Sequence, residues 1–419
     1  MRRDPRDAVR RGRFGRVEKL GDAANRFTHE WHDRTATSLD PSRRPGPPRG
    51  HLDDRASRGC GKVSNGMEAA HGVSLVICCF NSAERLPETL QHVARQVVPA
   101  HIVWEVVVVD NASTDRTAEV ARQQWPKTGC DAPFRVVEQP VPGLSAARDK
   151  GLEEAAFEFV LYCDDDNWLG PDYVRHVYEL MAGNPRIGAV GGHGHAVSDG
   201  QLPTWFLRYG RYYAVGHQGD ESGDITDAKG YLYGAGFAVR RSVLLHVKRL
   251  GFVSRLSGRK GRVLSSGDDL EISYLIRLAG YRLWFDKRLE FVHFMPAGRL
   301  HWTYFLNMVE GTHRSRPYVD AFQRTLRGEA GGAASWHWLT ESLRTVLRLI
   351  GRPKTLAMAM LGREGSAASF AVRRSKGELA GWLTVRSDHA AFARELRSLR
   401  ERLPGQDGGP LEGGGARAR

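Results

Sequence analysis

The chain has 419 residues, 41% of them apolar and 26% charged, which gives material for a large core and excludes a wholly disordered chain. No stretch approaches the ~20 consecutive apolar residues that span a bilayer, and no apolar run follows the N-terminal arginines to make a secretory signal. The net charge of +13 lies on the flanks: residues 1–66 hold 16 basic against 9 acidic side chains, residues 336–402 hold 13 against 6, and residues 67–335 hold 30 against 31. A nucleic-acid-binding core is therefore not expected. Of the five cysteines, Cys78, Cys79 and Cys163 sit in strand-like runs, which suits reduced thiols in a cytosolic protein.

Residues 1–66 contain only eight Leu, Ile, Val or Phe and are rich in Arg, Gly and Pro. They cannot bury enough surface to offset ordering entropy, so a disordered basic tail is expected over residues 1–70. Met67 stands just before the first strand and is a candidate start, which would leave that tail upstream. Val73–Phe80 is a continuous apolar run, a strand buried on both faces. Asn81 or Ser82 opens a helix to about Gln96, Val103–Val109 is a second strand, and Ser113 or Asp115 opens a helix to about Gln124. A strand over Phe134–Glu138, a helix over Ser145–Ala156 and a strand over Phe159–Cys163 follow. Pro171 then begins a helix at its first position, ahead of a fifth strand over Ile187–Gly191. This rhythm predicts an α/β fold, a doubly wound and mostly parallel sheet flanked by helices, with ligands beyond the carboxyl ends of the strands.

After Gly192 comes a Gly, Tyr and His-rich segment to about Lys229, then short strands over Tyr231–Tyr233 and Phe237–Val239 and a helix from about Arg240. A basic loop, Arg255–Arg262, leads to Ser265-Ser266-Gly267-Asp268-Asp269 at the head of a helix to Ala279, and the last strands are Tyr281–Phe285 and Phe291–His293. Residues 71–330 read as the main domain, 331–403 as a C-terminal helical extension and 404–419 as a flexible tail. In the extension, Leu343, Val346, Leu347 and Ile350 recur at helical spacing and are expected to pack on the core. The other reading is a basic interfacial patch against an anionic membrane leaflet.

Two strand ends carry chemistry. Asp110 closes a run of four valines, where a carboxylate points into the ligand crevice while Ser113 and Thr114 are better placed to cap the next helix. Asp164, Asp165 and Asp166 follow the fourth strand, and no basic residue nearby in sequence offsets them. Three adjacent carboxylates repel one another and are best tolerated where a cation neutralises them.

With these residues in place the chain resembles the family 2 glycosyltransferases of the GT-A fold. The matching stretches are Val73–Asn81, Val106–Thr117, Gly143–Gly151, Leu161–Asp172 with its DxD region, Gly234–Arg241 and Gly267–Ile272, in the family's order and spacing. The resemblance covers roughly residues 72–315 and implies an inverting transfer of a sugar from a UDP-, GDP- or dTDP-sugar. It implies Phe80 near the nucleotide base, Asp110 on base or ribose, and Arg148 facing the nucleotide. Asp164 and Asp165 would lie on the nucleotide-sugar, and Asp166 would hold Mn²⁺ or Mg²⁺, with His293 as a further metal contact. Asp269 matches the general base, with Asp268 and Gly234 on the acceptor side. The family's usual Asn is Asp149 here, and no role passes to it. The Gln-x-x-Arg-Trp signature of processive synthases is absent, which points to transfer of a single sugar onto a glycan or lipid-linked acceptor in cell-surface polysaccharide or glycolipid synthesis. The expected location is cytoplasmic, peripheral at the inner membrane face, with no specific nucleic-acid partner. The alternatives are a nucleotidyltransferase of related fold, or a basic nucleic-acid- or membrane-binding protein without catalysis.

Overall fold

Unbroken apolar runs build strands buried on both faces, and the sheet they form is described by a computed structural model. It describes residues 70–256, 267–329, 336–386 and 388–403. The tails expected over residues 1–70 and 404–419 fall outside the described residues except for Ala70, which begins the first strand; most of the basic loop, residues 257–262, also lies outside.

The strands are β1 (Ala70–Cys79), β2 (Trp104–Asn111), β3 (Phe134–Gln139), β4 (Phe157–Asp164) and β5 (Asn167–Leu169). They continue with β6 (Ile187–Ser198), β7 (Gly223–Asp224), β8 (Phe237–Arg240) and β9 (Arg282–Met295). They form one sheet in the order β3-β2-β1-β4-β8-β6-β9-β5, with β7 also on β9. The first four are mutually parallel, β8 runs against β4 and β6, and β6 and β9 are parallel again. This is the expected α/β architecture, a mostly parallel sheet with helices on both faces. Alternate side chains of β1 feed the two cores: Val76 and Cys78 on one side, Leu75, Ile77 and Cys79 on the other.

Three local expectations change. Tyr231–Tyr233 is not a strand. Its amides go to side chains instead: Leu232 N donates to Ser273 Oγ (3.1 Å), Tyr233 N to Gln218 Oε1 (2.8 Å) and Gly234 N to Asp269 Oδ2 (3.2 Å). The two runs expected as separate last strands are continuous in β9, which itself carries the irregularity: Gly191 pairs with Phe285 and His193 with Glu290, so the residues between Phe285 and Glu290 bulge from the ladder with β6. Pro171 precedes its helix, which spans Tyr173–Gly183.

The helices Arg316–Leu326 and Asp388–Arg402 join one face of the core through Phe322, Phe392 and Leu396. Helix Ala367–Val385 crosses helix Trp302–Arg314 closely, since a Cβ at Gly377 would stand 2.3 Å from the Glu310 carbonyl. On helix His337–Ile350 the expected packing is reversed: Leu343 (55%), Leu347 (58%) and Ile350 (65%) are exposed, and the buried residues are Ser342 and Thr345. Thr345 Oγ1 donates to its own helix at the Glu341 carbonyl (2.9 Å), so it buries without an outside partner. Among the described residues, no helix is long and apolar enough to cross a membrane.

Candidate active site

A cavity of about 1120 Å³ opens at the carboxyl ends of β1 and β4. Phe80, just past β1, lines it with 44% of its surface exposed. Asp110, near the end of β2, has a buried Oδ1 with no hydrogen-bond partner. Next to it Asn111 braces the loop, donating to the carbonyls of Gln139 (3.1 Å) and Val141 (2.6 Å) and accepting from Gly143 N (2.7 Å). Gly143, at φ 139°, then starts the helix Leu144–Glu154 that carries Arg148.

The aspartate triplet does not act as a unit. Asp165 turns to Ser82 and to Arg85 (2.8 Å), and its backbone oxygen accepts from Thr89, tying the helix Leu86–Ala94 to the strand end. Burial and then the charge of Asp166 raise the Asp165 carboxyl, against the pull of Arg85. Asp164 faces Arg148 at 3.5 Å; burial raises its carboxyl too. Asp166 is set by the short strand β5, whose antiparallel pairing puts Asn167 opposite His293 of β9. Asp166 Oδ2 accepts from Arg299 (2.7 Å), and Oδ1 stands 3.5 Å from His293 Nε2.

That last contact tests a metal. His293 Nδ1 lies 2.7 Å from the carbonyl of Tyr213 and must be the donor there, so Nε2 of a neutral imidazole carries a lone pair. A lone pair facing a carboxylate oxygen is relieved by a cation between them. Five aspartates line the cavity (Asp164, Asp165, Asp166, Asp268, Asp269), and six arginines line it too, of which Arg85, Arg148 and Arg299 pair with the aspartates. Asp166 with His293 fits a divalent ion by position and donor type.

Arg148 is buried and joins two regions far apart in sequence. Its Nη1 bonds Asp268 Oδ2 (2.6 Å), its Nη2 bonds the Gly234 carbonyl (3.0 Å), and Asp164 lies on the other side. Asp268 is thereby committed to an ion pair, whereas Asp269 is only half-buried and lines the cavity. Asp269 accepts from the amides of Gly234 and Leu270 (2.9 Å). Burial and then the adjacent Asp268 charge raise its carboxyl to about 6. Gly234 has no room for a side chain: a Cβ would sit 2.8 Å from Arg148 Nη2 and 3.2 Å from Asp269 Cβ.

All the residues singled out from the sequence except Asp110 line this one cavity. Sequence reasoning missed the arginines that balance the triplet, Arg85 and Arg299, which lie 80 and 133 positions away from their partners. It also missed Lys229, whose Nζ sits 3.5 Å from the Tyr233 ring centre and bonds Gln218 Oε1 (2.8 Å). Burial lowers that ammonium to about 7, opposed by Asp269. The only signal available for it was its place beside the Tyr231–Gly234 segment.

Residues 74–247 match the family model described as glycosyl transferase family 2. The cholesterol galactosyltransferase of Borreliella burgdorferi is 37% identical over 106 residues, 25% of this chain and 28% of that protein. A poly-beta-1,6-N-acetyl-D-glucosamine synthase of Staphylococcus epidermidis is 28% identical over 132 residues, 31% of this chain and 30% of that protein. The chain thus matches less than a third of the length of these curated relatives. Mannosyltransferase PcManGT from Pyrobaculum calidifontis, solved with GDP-Man and Mn²⁺, aligns at a TM-score of 0.46 and 19% identity, over 92% of this chain and 99% of that one. TarS 1–349 of S. aureus, solved with UDP-GlcNAc, aligns at 0.42 and 14%, over 76% and 92%. Residues 74–247, which carry β2 through β8, are thus similar to glycosyl transferase family 2.

Proposed function

We propose that the chain is an inverting, metal-assisted transferase. It moves a single sugar from a UDP-, GDP- or dTDP-sugar to a hydroxyl of a glycan or lipid-linked acceptor, in making a cell-surface polysaccharide or glycolipid. One contact supports this above all: buried Arg148 ties Asp164, on the donor side, to Asp268, and so fixes Asp269 next to the place where donor and acceptor would meet. In this reading Phe80 packs near the base, and Asp110, near the end of β2, takes a hydrogen bond from base or ribose. Asp164 and Asp165 border the nucleotide-sugar, Asp165 by holding Arg85 in place. Asp166 and His293 would hold Mn²⁺ or Mg²⁺, which when bound neutralises the charge growing on the diphosphate. Asp269 accepts the proton of the acceptor hydroxyl as its oxygen bonds to the anomeric carbon. The bond from that carbon to the diphosphate breaks on the opposite face, and its electron pair leaves with the diphosphate.

Single-sugar transfer is favoured because the chain has no Gln-x-x-Arg-Trp segment. A cytoplasmic enzyme resting on an anionic inner leaflet is favoured by the exposed apolar face of helix His337–Ile350, which carries Arg344 and Arg348. The test is a panel of nucleotide sugars with and without Mn²⁺, read by thermal shift and then by transfer, with the product's anomeric configuration assigned by NMR. One donor should raise Tm, through the linkage of binding to folding, and give an inverted glycoside. A retained configuration would refute the mechanism.

A further inference from the structure

The arginines that line the cavity are of two kinds. On the donor side each arginine already has a carboxylate: Arg85 with Asp165 (2.8 Å), Arg148 with Asp268 (2.6 Å) and Arg299 with Asp166 (2.7 Å). A second cluster, Arg211, Arg316 and Arg374, lines the cavity near His313. Among the described residues, no carboxylate pairs with Arg211 or Arg316; Arg211 stacks on Tyr212, its guanidinium carbon 5.6 Å from the ring centre. Arg374 shares Glu378 (2.8 Å) with Arg348 (3.0 Å) from another helix, so that carboxylate is already divided. His313 registers the resulting field. Burial, and then the charges of Arg374, Arg316 and Arg211, hold its imidazole down to about 4 although Glu378 pulls the other way. It stands 3.1 Å from the Tyr212 hydroxyl as a neutral polar group.

We propose that this arm, with Arg211 and Arg316 as its principal contacts, binds an anionic group of the acceptor, a phosphate or a carboxylate. Guanidinium groups that repel one another in a cleft are relieved by a shared anion, and their planar forks bond such oxygens in pairs. A sugar hydroxyl offers no such compensation. Tyr231 and Tyr233, which line the cavity within reach of both Asp269 and Arg211, offer the neutral sugar their ring faces. This inference rests on the transferase reading of the same cavity.

The experiment uses the full chain and three acceptors built on one alkyl glycoside: unmodified, bearing a phosphate monoester, and bearing a uronate carboxylate. Charged acceptors should be preferred in kcat/KM by roughly tenfold or more, the scale of a charge-assisted hydrogen bond. The preference should fall as salt rises. Which charged acceptor leads decides between phosphate and carboxylate. In the double variant Arg211→Gln/Arg316→Gln the ratio of charged to neutral kcat/KM should collapse toward one, through KM. Equal use of neutral and charged acceptors by the unaltered protein, or a ratio unmoved in the variant, overturns the proposal and leaves the transferase reading standing. Failure of every donor to raise Tm or to be hydrolysed overturns the transferase reading itself, and the acceptor arm with it.

Discussion

An ionised Asp269 is poorly accommodated, and that has two readable consequences. Its carboxyl, raised to about 6 by burial and by Asp268, is charged at neutral pH and loses its charge as the pH falls through 6. A base must be ionised to work, so transfer should drop on the acid side with a midpoint near 6, and Asp269→Asn should remove that limb and cut turnover by roughly 10² or more. The stability sign is opposite. A carboxyl whose folded pKa lies above its unfolded value holds its proton more tightly when folded, so the native state loses stability as the pH rises through that interval. At neutral pH Asp269→Asn should therefore unfold no earlier than the unaltered chain; a clearly lower Tm would mean that the carboxylate is structural. Gly234 is the second residue to test. Its missing side chain leaves room for both Arg148 and Asp269, so Gly234→Ala should shift the base and cost roughly 10- to 100-fold in transfer rate, as expected for a displacement of about 1 Å.

At the scale of elements, the helix His337–Ile350 shows what spacing can and cannot tell. The i, i+3, i+4, i+7 stripe predicted an amphipathic helix, and the helix is there. Spacing does not say which face turns inward, and here small Ser342 and Thr345 are buried while the leucines face out beside Arg344 and Arg348. Exposed side chains contribute little to folding, so Leu343→Gln/Leu347→Gln should change stability by no more than about 0.5 kcal/mol per substitution. Co-sedimentation with anionic vesicles should be lost in the same variant, and unchanged sedimentation would remove the membrane role. The Tyr231–Tyr233 segment went unread for a related reason: its alternation looks like a strand, but side chains of Ser273 and Gln218 take the amides that a neighbouring strand would have bonded. By contrast β1, β2 and β4 were legible because strands buried on both faces admit only unbroken apolar runs. The C-terminal helices are also pinned by Asp320, which accepts from His337 Nε2 (3.0 Å) and lies 3.3 Å from His389 Nε2. Burial alone would raise this carboxyl, but the hydrogen bond from His337 and the close approach of His389 hold it well below the usual range. Its stabilising effect is thus present above the ordinary aspartate pKa and lost only in strong acid. Asp320→Asn should lower Tm at neutral pH and expose the 388–402 helix to faster hydrogen exchange.

For the molecule as a whole, charge is segregated rather than merely positive. The +13 of the chain belongs to its flanks, while the cavity is lined by five aspartates and by six arginines, of which Arg211 and Arg316 have no carboxylate partner among the described residues. The triplet announced the acidic cluster in the sequence, but its neutralisers did not, because Arg85 and Arg299 reach it only through the fold. That changes how a metal requirement should be tested. Asp166 is buried and bonded to Arg299, so Asp166→Ala would strand a guanidinium and could lower activity merely by loosening the site. Asp166→Asn keeps the shape and one acceptor oxygen while removing a charge and a ligand. In the unaltered chain, Mn²⁺ should raise Tm further when the diphosphate donor is present than when it is absent, since phosphate oxygens would add ligands to those that Asp166 and His293 would supply. Chelation should abolish transfer. In Asp166→Asn the additional metal-dependent rise should vanish while the donor's own, metal-free shift remains. If the variant kept its metal response, Asp166 would be only the partner of Arg299, and the ion would be held elsewhere in the cavity.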